Sequence, residues 1–129
     1  MRSKFSEFTY GFAVVSELAA ALQCKVAPIF PSLIEEGQAG GGYDVELDAA
    51  GIPIYLQFKL SDYMRTHGAK EANHQTEPMV VPYYRFQITS AATSDQHAHL
   101  LGLAETFRSV YYTAPSFWTT RALRGGPRF

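Results

Sequence analysis

Cysteine is almost missing: Cys24 is the only thiol in 129 residues. No disulfide can form within the chain, and a thiolate zinc site would lack its other ligands. A reducing, cytoplasmic setting is the expectation. An excess of either charge is missing too. Eleven Lys and Arg stand against twelve Asp and Glu, a formal net charge of −1, which excludes a polycation that coats nucleic acid by bulk attraction. Nucleic-acid binding would have to come from a local patch. Nor is there an unbroken apolar run. Glu7 and Glu17 interrupt the N-terminal hydrophobic stretch, and no convincing small-x-small cleavage site follows it, so it reads neither as a signal peptide nor as a bilayer span. No membrane partner is expected. Internal repeats and low-complexity tracts are also lacking.

What is present suits one folded unit. Hydrophobic residues make up 47% and charged residues 18%, and this length fits a single core, so 1–129 is expected to be one domain. Ser6 is a plausible N-cap. Phe8, Phe12, Val15, Ala19 and Leu22 recur at spacings of three and four, which predicts a helix over 7–23 with that stripe facing inward. Val26 to Phe30, bounded by prolines, is an edge strand or extended chain. Four glycines between Gly37 and Gly42 mark a flexible entry into the next segment.

The segments 43–48 and 53–60 alternate as amphipathic strands. The first puts Val45 and Leu47 on one face; the second puts Ile54, Leu56, Phe58 and Leu60 on one face and Tyr55, Gln57 and Lys59 on the other. They form a hairpin turning at Ala50-Gly51. With Ala49 opposite Ile52, Asp44 lies across from Gln57, Glu46 across from Tyr55, and Lys59 one diagonal from Asp44. Residues 61–79, with His67 and His74, are expected as a loop or insertion. Val80 to Thr89 reads as a strand, Ser94-Asp95 as the cap of a helix carrying Leu100, Leu101, Leu103, Ala104 and Phe107, and Ser109 to Ala114 as a strand. A short helix over about 116–123 precedes a frayed or truncated RGGPRF tail. The order predicts an α/β fold of α+β character: a mixed sheet covered by helices.

The central stretch GGGYDVELDAAGIPIYLQFK resembles the PD-(D/E)xK nuclease superfamily, and within it the Mrr-type restriction endonucleases in which Gln replaces the second acid. The resemblance rests on Asp44 on one strand, a glycine-containing hairpin, and Gln57-Phe58-Lys59 on the next, with twelve residues between Asp44 and Gln57. In layout it covers most of the chain. Its specific residues occupy about twenty positions. It implies a restriction-endonuclease-like core of a helix, antiparallel strands, a helix and a further strand. It also implies a metal-dependent endonuclease acting on DNA, of the sort found in restriction and other defence systems.

That function implies a role for each residue. Phosphodiester hydrolysis needs a hard cation, Mg2+ or Mn2+, to neutralise charge on the phosphate and make hydroxide available. Asp44 would ligate it, Gln57 would supply a neutral oxygen, and the backbone carbonyl of Phe58 or Leu60 would complete the set. Lys59 would orient or deprotonate the attacking water and stabilise the transition state. Gln57 removes one negative charge, so weaker metal binding is expected. Many members also take a Glu from the first helix. Glu17, the only charge between Phe8 and Leu22, is the preferred acid because burying it requires a partner such as the metal or Lys59, although it lies opposite the Phe8/Phe12/Val15 stripe. Glu7 lies nearer that stripe, but the helix dipole explains a first-turn acid.

A plainer origin competes with each of these roles. Asp44, Glu46, Gln57 and Lys59 are also what the solvated polar face of a hairpin looks like. His97 and His99, two apart, are poor joint ligands on a helix, although Gln96 and His97 at its start suit a phosphate contact. Arg85, Arg121 and Arg124 are candidates for nucleic-acid backbone contacts. The rival functions are a catalytically inactive member of the fold, serving as a nucleic-acid-binding or assembly subunit, and an unrelated α/β interaction domain. Weak overall basicity points to a homodimer or larger complex that concentrates charge.

Overall fold

Ser6 starts the first helix as its sequence position suggests. In the computed structural model, which describes residues 2–32, 41–66, 80–88, 94–107 and 109–125, the Ser6 hydroxyl accepts from the Thr9 N–H at 3.0 Å. Helix α1 runs Glu7–Ala21. Its buried face keeps only Val15 of the expected stripe. Tyr10, Gly11, Val14 and Val15 are buried, whereas Phe8 and Phe12 are 83% and 68% exposed. Both sets obey the 3.6-residue period, so spacing alone could not choose between them. Close approach chose. A Cβ on Gly11 would stand 2.7 Å from the Phe58 ring, so the glycine side of the helix is the side that can lie against the sheet.

Strands β1 (Val45–Ala49) and β2 (Ile52–Phe58) pair antiparallel, with Ala49 opposite Ile52 and Val45 opposite Leu56, the expected register. Both turn residues have positive φ, 54° at Ala50 and 85° at Gly51, which suits a two-residue hairpin loop. The Gly51 N–H donates to Asp48 Oδ1 at 2.7 Å. On the outer edge of β1, Ile29 exchanges backbone bonds with Glu46 at 2.9 and 2.8 Å. The segment 26–30 is thus extended chain with one bridge.

Two expectations need correction. Strand β3 (Asp62–Met64) lies in the stretch expected to be a loop. Strand β4 (Tyr83–Arg85) is much shorter than 80–89 and pairs antiparallel with β3 in a separate two-stranded sheet. The main sheet has no room for it on β2, because β5 (Val110–Thr113) takes that edge in parallel, Gln57 beside Tyr112. The rest of the expected loop, including His67 and His74, lies outside the described residues, as does Gly37–Gly40. The protein is therefore mixed α/β, with a three-stranded mixed sheet ordered β1-β2-β5.

Each face of that sheet is covered. On one side α1 packs Tyr10, Val14 and Val15 with Val45, Leu47, Leu56 and Phe58, where full burial of each large apolar side chain contributes roughly 1.5–3 kcal/mol. Helix α3 (Thr120–Gly125) adds Leu123 to this core. It begins later than expected because Thr119 caps it, its hydroxyl accepting from the Ala122 N–H at 3.2 Å. On the other side lies α2 (Gln96–Thr106), whose Leu100 and Leu103 are buried. The Ser94 hydroxyl accepts from the Gln96 N–H at 3.2 Å, while the Asp95 side chain makes no cap bond. Tyr55 meets Phe107 with ring centroids 5.1 Å apart. Sandwiching explains why four consecutive residues of β2, Tyr55 to Phe58, are buried. No helix among the described residues is long and apolar enough to cross a membrane.

Gly42 sets the approach of α2. Its φ is +84°, and a Cβ there would stand 2.7 Å from the Gln96 carbonyl oxygen. Gly51 has a similar φ but nothing within 4 Å. Alanine at Gly51 should therefore cost only the left-handed conformation, about 1–2 kcal/mol. Gly42→Ala should cost clearly more, because backbone must also move. Urea midpoints of the two variants check this, and equal losses would contradict it.

Candidate functional site

The register holds Asp44 just ahead of β1, across from Gln57. The Asp44 N–H donates to the Leu56 carbonyl at 2.8 Å, and Asp44 Oδ2 accepts from the Phe58 N–H at 2.7 Å. The carboxylate thus takes a rung of the β ladder that a backbone carbonyl would otherwise fill. It is consequently fixed in place at the carboxyl end of β2, beside the QxK segment.

Gln57 is the unusual residue. It is 2% exposed, which a solvated hairpin face does not accommodate. Its Nε2 donates at a marginal 3.5 Å to the Phe58 carbonyl, and its Oε1 is buried with no hydrogen-bond partner among the described residues. Leaving such an acceptor unsatisfied costs about 1–3 kcal/mol. Lys59 is partly buried one step beyond. Its Nζ donates to Gln96 Oε1 at 3.3 Å and lies 5.9 Å from the Tyr112 ring centroid. Tyr112 is in turn fixed by His97, whose Nδ1 is 2.7 Å from the Tyr112 hydroxyl.

The first helix contributes Glu7 to this neighbourhood. A cavity of about 420 Å³ is lined by Glu7, Lys59, Leu60, Asp62 and Phe86 among others. Glu7 stands two turns before Val14, so it shares the sheet-facing side of α1 at the end nearest Lys59. Glu17 is placed elsewhere. It lines a different cavity with Phe12, Leu123 and Arg124, which shares no residue with that of Lys59. The physical reason is the rotation of α1 described above, which turns Glu7 toward the Lys59 end of the sheet and leaves Glu17 on a flank farther along the helix.

Partial desolvation of the Glu7 carboxyl, on a residue that stays exposed, raises its pKa above 4.5, offset in part by the nearby Lys59 charge and by the Leu60 N–H. An acid with a raised folded pKa makes stability fall as pH climbs from its unfolded value through the folded one, and leaves it lower above. Glu7→Gln should therefore melt at least as high as the wild type at pH 7, with the difference vanishing below pH 4.5. Melting temperature against pH decides it; a variant that melts lower at pH 7 would show that the Lys59 attraction prevails. Across the hairpin, burial pushes Tyr55 up to about 12, helped by Glu46, whose Oε1 accepts from the Tyr55 hydroxyl at 3.3 Å. Glu46 is thereby a partner of Tyr55.

The three arginines do not share one element. Arg85, on β4, faces Asp62 with Nε 4.0 Å from Oδ2, next to the Lys59 cavity. Arg121 and Arg124 are exposed on α3, and Arg124 lines the Glu17 cavity. Gln96, expected from its place at a helix start to suit a phosphate contact, holds Lys59 instead, and Tyr112, which has the sequence signature of an ordinary strand aromatic, lies beside the same ammonium.

Among the described residues no three His, Cys, Asp or Glu side chains gather as metal ligands. A cation at this site would rest on a mixed oxygen set, and Gln57 Oε1, without a partner among the described residues, fits that need. No family model matches the chain, and neither a curated protein nor a solved structure matches it.

Proposed function

We propose that the chain is a metal-dependent nuclease of the PD-(D/E)xK type, in its QxK form, that hydrolyses phosphodiester bonds of DNA in a reducing, cytoplasmic setting. The observation that carries this reading is Gln57: a buried side-chain oxygen with no partner among the described residues, across the hairpin from a fixed carboxylate and two residues before Lys59. The order of elements supports it as well. A helix, an extended edge segment, an antiparallel hairpin, a second helix and a parallel strand beside β2 are the elements that the resemblance implies, here with β3 and β4 inserted between the hairpin and α2 and with α3 added after β5.

In this proposal Asp44, Gln57 Oε1 and the Phe58 carbonyl hold Mg2+ or Mn2+. The cation, when bound, supplies positive charge for the phosphate and a hydroxide near neutral pH. Lys59 orients the attacking water and offsets charge on the phosphoryl oxygens, with Gln96 and Tyr112 limiting where its ammonium can go. Glu7 sits where it can tune Lys59. DNA is the proposed partner, in a homodimer or larger complex. An inactive binding or assembly subunit is the second reading, favoured by the lack of a three-ligand acid cluster among the described residues.

Cleavage of plasmid and single-stranded DNA with magnesium, manganese or EDTA is the test. Hydrolysis should require metal and stop in EDTA. Cleavage indifferent to EDTA would overturn the metal mechanism, and binding without cleavage in either metal would favour the inactive subunit.

A further inference from the structure

The small β3-β4 sheet carries a feature that the hydrolytic residues do not explain. Tyr63 and Tyr84, directly paired across it, have ring centroids 4.9 Å apart. Tyr63 also lies nearly parallel to Trp118, with centroids 6.3 Å and planes 12° apart. Cations flank this row. Lys4 Nζ lies 5.3 Å from the Trp118 centroid, and the Arg65 guanidinium 5.7 Å from that of Tyr63. Lys4, Arg65 and Tyr84 are exposed, and Tyr63 and Trp118 are only half-buried. A row of rings that merely filled a core would have no need of solvent-exposed cations held against it.

We propose that Trp118, Tyr63 and Tyr84 form a platform on which unpaired bases of single-stranded DNA stack, with Lys4 and Arg65 meeting the phosphates. Every base offers a π face to such rings, and a flanking cation adds to the attraction while contacting the backbone. Duplex DNA presents its bases only edge-on, so the platform discriminates against it. β3 also contributes Asp62 to the Lys59 cavity, from the face of the strand opposite Tyr63. The identity of the nucleic acid as DNA rests on the nuclease reading; the stacking chemistry does not.

Fluorescence anisotropy of a fluorescein-labelled oligothymidine of about ten nucleotides, recorded in EDTA on the full chain, tests the platform separately from hydrolysis. The single strand should bind at least tenfold more tightly than the same length of duplex. Tyr84→Ala, at an exposed position, should weaken binding about tenfold, and Tyr84→Phe should restore it. Lys4→Gln should lower the salt dependence by about one unit of slope. Equal affinity for duplex, tenfold tighter binding of the equivalent RNA, or Tyr84→Ala binding like wild type with an unchanged circular dichroism spectrum would overturn the proposal. Binding lost in Tyr84→Ala from a protein that cleaves nothing in magnesium or manganese would support the platform while sinking the nuclease reading.

Discussion

If the chain is the proposed nuclease, Lys59→Ala should lower DNA cleavage by about 10²–10⁴-fold, the usual contribution of a positioned proton-transfer group, while leaving metal binding and folding almost unchanged. The Lys59 ammonium is held by Gln96 Oε1 and the Tyr112 ring, neither of which is left as a buried unpaired charge when it goes. The companion variant must be chosen with the structure in view. From sequence, Asp44→Ala looks like a clean removal of the one anionic ligand. In the fold it also strips the Phe58 N–H of its acceptor, at a cost of about 1–3 kcal/mol. Asp44→Asn keeps an oxygen for that N–H and removes only the charge. It should abolish metal-dependent cleavage with little loss of stability. Turnover assays beside chemical denaturation read both effects, and wild-type turnover in either variant would remove Asp44 or Lys59 from the mechanism.

Gln57→Leu should separate activity from stability. Leucine approximates the volume of Gln57 and dispenses with a buried oxygen that has no partner among the described residues, so the variant should be as stable as the wild type or more stable, by up to about 1 kcal/mol. In the proposed mechanism cleavage should be lost, because the oxygen assigned there to the cation is gone. A destabilised Gln57→Leu protein would mean the amide is held by interactions needed for folding, and a stable one that still cleaves would refute its role at the site. Gln57→Glu turns the argument round. A carboxylate buried at this position should destabilise the protein in EDTA, with stability recovered on adding magnesium in proportion to occupancy.

Local signals in the sequence determined a good part of this protein. Strict alternation over 43–48 and 53–60, joined by Ala50-Gly51, determined the hairpin and its register, because a slip of one residue would have exchanged its apolar and polar faces. The Ser6 cap determined where α1 begins, and the spacing of Asp44, Gln57 and Lys59 nominated the site. Tertiary structure decided what local pattern leaves degenerate. Two helical stripes satisfied one period, and the close approach of Gly11 to Phe58 picked the one that exposes Phe8 and Phe12 and brings Glu7, in place of Glu17, to Lys59. The parallel partner of β2 is far away in the chain, and no local signal told β5 from β4 as its neighbour. That pairing, with α2 laid across it, is what turned the polar face of a hairpin into the buried surroundings of Gln57. A residue's burial depends on which distant segments cover it, and the sequence around Gln57 carries no information about them.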